Sequence, residues 1–316
     1  MKSRRPGALV VAAACAVAAS LACGGLKKVD EERLLLEALC GPLEAPRIHF
    51  DTDEYEGGSA CFNLGLYWTK QTADHRQDMA LARKYFKRAC ELGSGDGCHN
   101  LAVLAENGEG GPADQTLATE YYLKGCEEGY PPSCVQAGDA LRDGKGVGKD
   151  IPSAEKRYGQ GCEGDDAPAC VALGNLLDDG EGIPQDLQSA NHYWQRGCDL
   201  GSDPGCYNVA VSKKKGRGMP ADPVGALTDY RGLCERDYPR GCSAGGELLW
   251  RGEQVPGDDA AALELFRRGC EASEAISCLR LGDAHEAGRG VPEDAEAAAT
   301  YRKKACEYGY KPACDG

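Results

Sequence analysis

The residues of this sequence best placed to do chemistry are its cysteines. From residue 90 onward they stand in pairs: Cys90 and Cys98, Cys126 and Cys134, Cys162 and Cys170, Cys198 and Cys206, Cys234 and Cys242, Cys270 and Cys278, Cys306 and Cys314. Each pair is eight residues apart, and each recurs after 36 residues. Cys40 and Cys61 make an eighth pair with a longer loop, leaving Cys15 and Cys23 over. Zinc and disulfide chemistry both suit paired cysteines. Zinc ligands usually stand two to four residues apart and come as two knuckles. Here seven residues intervene, and His49, His75, His99, His192 and His285 do not follow the repeat. Disulfides suit an exported chain, and closing such a nine-residue ring contributes about 2.5 kcal/mol on the chain-entropy argument. With no Cys-x-x-Cys present, the sixteen paired cysteines are expected to be structural rather than redox-active.

Other chemical signals are weaker. Ser153-x-x-Lys156 and Ser212-x-x-Lys215 share the spacing of penicillin-recognising serine enzymes, and Ser189-Ala190-Asn191 matches their Ser-x-Asn element. The third element, Lys-Thr-Gly or Lys-Ser-Gly, occurs nowhere, and Ser153 occupies an ordinary repeat position beside Ala154. No nucleophile–base constellation emerges, so no catalytic residue, metal or cofactor is expected. The Gly-x-Gly turns follow helices rather than strands, which excludes nucleotide-binding loops. Lys213-Lys214-Lys215-Gly216-Arg217 is the one basic run. It reads as a solvated turn, or as a docking point for an acidic partner or phosphate head groups.

The positions of these residues depend first on where the chain is sent. Lys2, Arg4 and Arg5 precede an apolar run over residues 8–22. A membrane-spanning helix needs about 20 apolar residues, so this shorter run reads as a secretory signal peptide, residues 1–22. Ser20-Leu21-Ala22-Cys23 resembles a bacterial lipoprotein box, with Ser20 where Leu is usual. Parity agrees: Cys15 leaves with the signal, sixteen cysteines pair, and Cys23 remains for lipidation. The expected organisation is a signal peptide (1–22), a lipidated cysteine with linker and N-terminal capping helix (23–60), and a repeat region (61–316). The expected place is the bacterial cell envelope, as a periplasmic or outer-membrane lipoprotein touching the membrane through its anchor. The 316 residues carry 36 Lys and Arg against 50 Asp and Glu, a net charge of −14. Such a broadly acidic chain argues against nucleic acid as a partner.

The 36-residue interval marks a repeat array. Twelve residues before the first Cys of each pair stands Asp (Asp78, Asp114, Asp150, Asp186, Asp222, Asp258, Asp294), and eight before stands Ala. Four before stands an aromatic (Phe86, Tyr122, Tyr158, Trp194, Tyr230, Phe266), with Arg302 in the last unit. Steps of four keep Ala, aromatic and Cys on one helical face. Asp suits the N-cap of this helix B, and Gly93, Gly129, Gly201 and Gly309 suit a left-handed stop. Helix A is predicted to begin at the second Cys. Four residues on it carries a small residue (Gly65, Ala102, Gly138, Gly174, Ala210, Gly246, Gly282), expected to face the Ala of helix B. A glycine turn joins A to B and accounts for much of the 43 glycines, about twice the usual ~7%. In the fifth unit Ser212-Lys213-Lys214-Lys215 replaces apolar residues, and residues 30–40 give a lone N-terminal helix.

Val171-Ala172-Leu173-Gly174, then Asp179-Gly180-Glu181-Gly182-Ile183-Pro184-Gln185-Asp186, then Ala190 and Tyr193 resemble the Sel-1-like repeat, a 36-residue relative of the tetratricopeptide repeat. The resemblance spans about residues 61–314, and the regular cysteine pairs look like the cysteine-rich secreted subgroup in bacteria. It implies an all-α, right-handed α/α solenoid of about seven helix-turn-helix units, stapled by disulfides. It also implies a non-enzymatic scaffold that binds proteins or cell-wall peptides. The alternative, implied only by the resemblance, is β-lactam binding or weak hydrolysis. Two residues past the second Cys, opposite the apolar stripe, stand Asn63, Asn100, Gln136, Ala172, Asn208, Ala244 and Arg280. The amides Asn63, Asn100, Gln136 and Asn208 are the candidate face for the backbone of an extended peptide.

Overall fold

A computed structural model describes residues 28–41, 43, 54–71 and 76–314. The signal segment, Cys15, Cys23, His49 and His75 lie outside the described residues. The described residues are helical and contain no strand. In chain order the helices are α1 (Lys28–Cys40), α2 (Glu54–Thr69), α3 (Met79–Glu91), α4 (Gly95–Asn107), α5 (Gln115–Glu127), α6 (Pro131–Asp143), α7 (Ile151–Glu163) and α8 (Ala167–Asp179). They continue with α9 (Leu187–Asp199), α10 (Asp203–Lys215), α11 (Pro223–Glu235), α12 (Pro239–Arg251), α13 (Asp259–Glu271), α14 (Ala275–Ala287) and α15 (Ala295–Glu307). From α2 onward the even-numbered helices are type A and the odd-numbered ones type B.

Two compact units divide between Ala169 and Cys170. In the first, α1 to α7 pack each on the next, and α2 on α4, α4 on α6 and α5 on α7. In the second, α9 to α15 do the same, with α11 on α13 and α12 on α14. Each B helix starts on its Asp. The carboxylates of Asp78, Asp114, Asp150, Asp222 and Asp258 accept from the backbone N–H three residues on, at 2.8–3.1 Å. Such a cap contributes about 1 kcal/mol. The same residue's backbone N–H closes the A–B turn, as from Asp114 to Ala105 O (2.8 Å) and from Asp150 to Leu141 O (2.8 Å).

The B–A turns carry the staples. In six pairs, from Cys90–Cys98 to Cys306–Cys314, the sulfurs stand 1.97–2.05 Å apart and the Cα atoms 4.5–5.0 Å apart. Cys40–Cys61 is bonded at 2.07 Å, and Cys162 and Cys170 are disulfide-bonded as well. Three residues past the first Cys the backbone is left-handed in every repeat. Glycine serves at 93, 129, 201 and 309, and Asp165, Asp237 and Ser273 adopt the same conformation at φ 59–64°. Helix A begins one turn before the second Cys rather than at it, because the residue that closes the turn also starts the helix. Ser94 and Ser202 cap it (3.1 and 3.4 Å), and Pro131 and Pro239 take its first position.

Two helices this close leave no room beside the disulfide. The residues just before the two cysteines face each other: Ala89 and Gly97, Gly125 and Ser133, Gly161 and Ala169, Leu233 and Gly241, Gly269 and Ser277. In each of these five pairs one partner is glycine. A β-carbon on Gly205 would lie 2.8 Å from Trp194 O and 2.9 Å from Cys198 N.

The small residue of helix A meets the aromatic of helix B, one turn beyond the Ala expected from the sequence. A β-carbon on Gly138 would lie 2.5 Å from the Tyr158 ring, and one on Gly174 2.5 Å from Trp194, with Ala190 O next at 3.0 Å. Side chains lean toward the N-terminus of their helix, which shifts the contact by a turn. The aromatics Phe86, Tyr122, Tyr158, Trp194, Tyr230 and Phe266 are all buried.

These contacts predict opposite signs for two identical substitutions. Gly205→Ala meets backbone and should destabilise by roughly 1–3 kcal/mol. Gly232→Ala, in α11 with nothing within 4 Å of the added carbon, should stabilise by about 0.5–1 kcal/mol through helix propensity. Denaturant midpoints of the oxidised protein read both.

Candidate functional site

The amide positions do not form a uniform ladder. In the first unit Asn63 and Gln136 are exposed, whereas Asn100 is half-buried and donates to Asp96 O at 2.9 Å. In the second unit Asn208 donates to Asn175 Oδ1 (3.0 Å), which also accepts from Trp194 Nε1 (2.9 Å). Asn100 and Asn208 are therefore bonded within the fold, and Asn63 and Gln136 face solvent.

A second register, five and eight residues past the second Cys, holds the polar tips of the buried aromatics. Tyr122 donates to Glu106 at 2.9 Å. Tyr158 donates to Asp139 at 2.7 Å and accepts from Arg142 at 3.2 Å. Burial, then the neighbouring carboxylate, raises both phenols well above their ordinary range. Hydrogen bonding to Arg142 holds Asp143 down to about 2. This register is weak in the sequence because its residue types vary, with Val103 and Val211 among the acids and amide at the first position and Arg142, Lys214 and Trp250 among the acids at the second. In the fifth repeat the two positions are Val211 and Lys214. There the buried Tyr230 hydroxyl has no hydrogen-bond partner among the described residues.

Beside this break lies a groove of about 370 Å³ in the second unit, between α10, α12 and α14. Its charged lining comprises Lys214, Glu247, Arg251, Glu253 and Arg280, and its apolar wall includes Tyr207, Leu248 and Ile276. Glu247 pairs with Arg251 at 3.2 Å and with Arg280, which also reaches Asp283 at 3.1 Å. Ala244 and Arg280, two of the positions singled out from the sequence, line this groove. The basic run beside it divides. Lys213 turns to Asp229 (2.6 Å) and Arg217 to Asp178 (2.8 Å), Lys215 is exposed, and Lys214 enters the groove. Burial, then repulsion from Lys215 and Arg251, lowers the pKa of Lys214.

The serine motifs have structural work. Ser153 and Ser189 donate to their N-cap aspartates at 2.7 Å, and Ser212 is buried. Among the described residues no group of three His, Cys, Asp or Glu side chains is placed to hold a metal ion, and no helix is long and apolar enough to cross a membrane.

The Sel1 repeat profile matches residues 58–94, 95–130, 131–166, 167–202, 203–227, 243–274 and 275–310. A crystal structure of c5321, a protective antigen of uropathogenic Escherichia coli with an SLR fold, is similar over 90% of this chain at 22% identity and a TM-score of 0.74. The chain spans 57% of that protein's length. A Sel1 repeat protein from Oxalobacter formigenes is similar over 72% of the chain and 96% of its own, at 19% identity and a TM-score of 0.61. Cytochrome c oxidase assembly factor 7 of Mus musculus is 32% identical over 65 residues, which cover 20% of this chain and 28% of that protein.

The two classes of amide should separate on substitution. Asn175→Ala leaves the buried Trp194 N–H without its acceptor and should cost about 1 kcal/mol. Gln136→Ala should stay within about 0.5 kcal/mol of the parent. Chemical denaturation of the two variants checks this.

Proposed function

The chain belongs to the Sel1 repeat family, and from that premise we propose that it is an exported, non-enzymatic scaffold that binds a protein or peptide through the exposed faces of its A helices. The observation that carries the reading is the division of labour on those helices. One face is closed by aromatics, small residues and disulfides, while Asn63 and Gln136 keep amides in solvent at one repeat register. Helical repeats of this kind offer long surfaces rather than deep catalytic clefts. Export is supported by the apolar segment 8–22 and by the disulfides, which persist in oxidising compartments. Attachment to a bacterial membrane through a lipid on Cys23 rests on Ser20-Leu21-Ala22-Cys23 and the odd cysteine.

Capture of partners from envelope extract by the tagged mature chain tests both parts. Replacing Asn63 and Gln136 together by Arg should lower capture at least tenfold without changing thermal stability. A double variant that captures as well as the parent argues against the A face. In cells, Cys23→Ala should move the protein from the membrane to the soluble fraction and abolish acyl labelling.

A further inference from the structure

We propose that Cys306–Cys314 is a site of thiol–disulfide exchange, where a small peptide thiol forms a mixed disulfide with Cys314 while the other seven bridges stay closed. This departs from the purely structural role expected of the paired cysteines, and it is independent of what the A helices bind.

Access sets this bridge apart. The cysteines of six pairs are buried, at 4% exposure or less. Cys198, Cys206 and Cys306 are half-buried, and Cys314 is exposed. In each of the other seven pairs the second cysteine lies inside an A helix. Cys314 instead follows a short 3-10 turn, Lys311–Ala313, and donates its backbone N–H to Lys311 O at 3.0 Å. Cys306 and Cys314 both line a cleft of about 560 Å³, whose charged groups are Glu286, Glu293, Arg302 and Lys303. That volume is within the range of small-ligand sites. A peptide thiol of two or three residues, itself carrying an amine and a carboxylate, matches the cleft in size and in its mixture of charge.

Exchange proceeds by attack of a thiolate on one sulfur, and its rate depends on access to that sulfur. A buried bridge must wait for its helices to part, whereas Cys314 already meets solvent. The electron pair of the incoming thiolate forms the new S–S bond to Cys314 Sγ. The Cys306–Cys314 bond breaks, and its electron pair leaves on Cys306 Sγ, which takes up a proton. One disulfide and one thiol become a mixed disulfide and a new thiol, so no separate oxidant or reductant enters. The turn outlasts the step: Tyr310 donates to Ala305 O at 2.9 Å, Gly309 donates to Cys306 O at 3.0 Å, and Tyr310 packs on the core of the second unit. These contacts keep the two cysteines close, so the bridge closes again when the thiol is withdrawn.

The test incubates the full oxidised chain with reduced glutathione under native conditions, quenches with acid, and maps every cysteine by peptic digestion and mass spectrometry. Cys306–Cys314 should open at least tenfold faster than each other bridge, with glutathione on Cys314. Urea below the unfolding transition should change this rate less than twofold while accelerating the buried bridges, because access rather than helix opening limits it. Cys306→Ser combined with Cys314→Ser should abolish the fast phase and leave the other seven rates within twofold. Opening less than tenfold faster than another bridge, adducts confined to Cys306, or a rate that rises with urea in step with the buried bridges overturns the proposal. Opening by a protein dithiol but not by glutathione overturns it too. Capture of partners by the A helices is a separate readout, so failure here leaves the scaffold reading standing.

Discussion

The close approach of each B helix to the next A helix at the disulfide is the constraint on which the rest of the structure depends. Cα atoms 4.5–5.0 Å apart across six of the pairs force a turn of fixed length and a left-handed residue at one place in it. At five of the hinges they also require a glycine beside one cysteine of the pair. Leu233 is accommodated because Gly241 faces it, and Ser133 and Ser277 because Gly125 and Gly269 do. The covalent bond limits the unfolded ensemble, but this side-chain complementarity is what lets it form without displacing the helices.

The fixed hinge settles the register of everything further along. Counting from the second Cys, the small residue meets an aromatic ring, and the positions one and four residues later meet that ring's polar tip. An acceptor there satisfies Tyr122, Tyr158 and Trp194. The fifth repeat keeps the hinge and the ring but replaces the acceptor positions with Val211 and Lys214. Hinges stapled this way tolerate such a local departure, because repeat contacts run mainly between neighbours.

Much of this was legible in the sequence. The 36-residue period, the N-cap aspartates and the cysteine pairs rest on local chemistry that repeats in phase. What was not legible lies between helices. Whether Gly174 faces Ala190 or Trp194 depends on the lean of side chains across a contact, which spacing within one helix does not encode. Asp165, Asp237 and Ser273 carry positive φ without being glycine, so the signal at that position was incomplete. Asn100 and Asn208 looked equivalent to Asn63 and Gln136, yet each donates its amide within the fold. The groove escaped notice because its members, Lys214, Glu247 and Arg280, come from three repeats.

Disulfide mapping of the mature, non-reduced protein tests the central claim most directly. Proteolysis between the repeats followed by mass spectrometry should return Cys90–Cys98 and its counterparts at eight-residue spacing, together with Cys40–Cys61. Free thiols at these positions, or bridges joining cysteines of different pairs, would contradict the hinge on which this account rests.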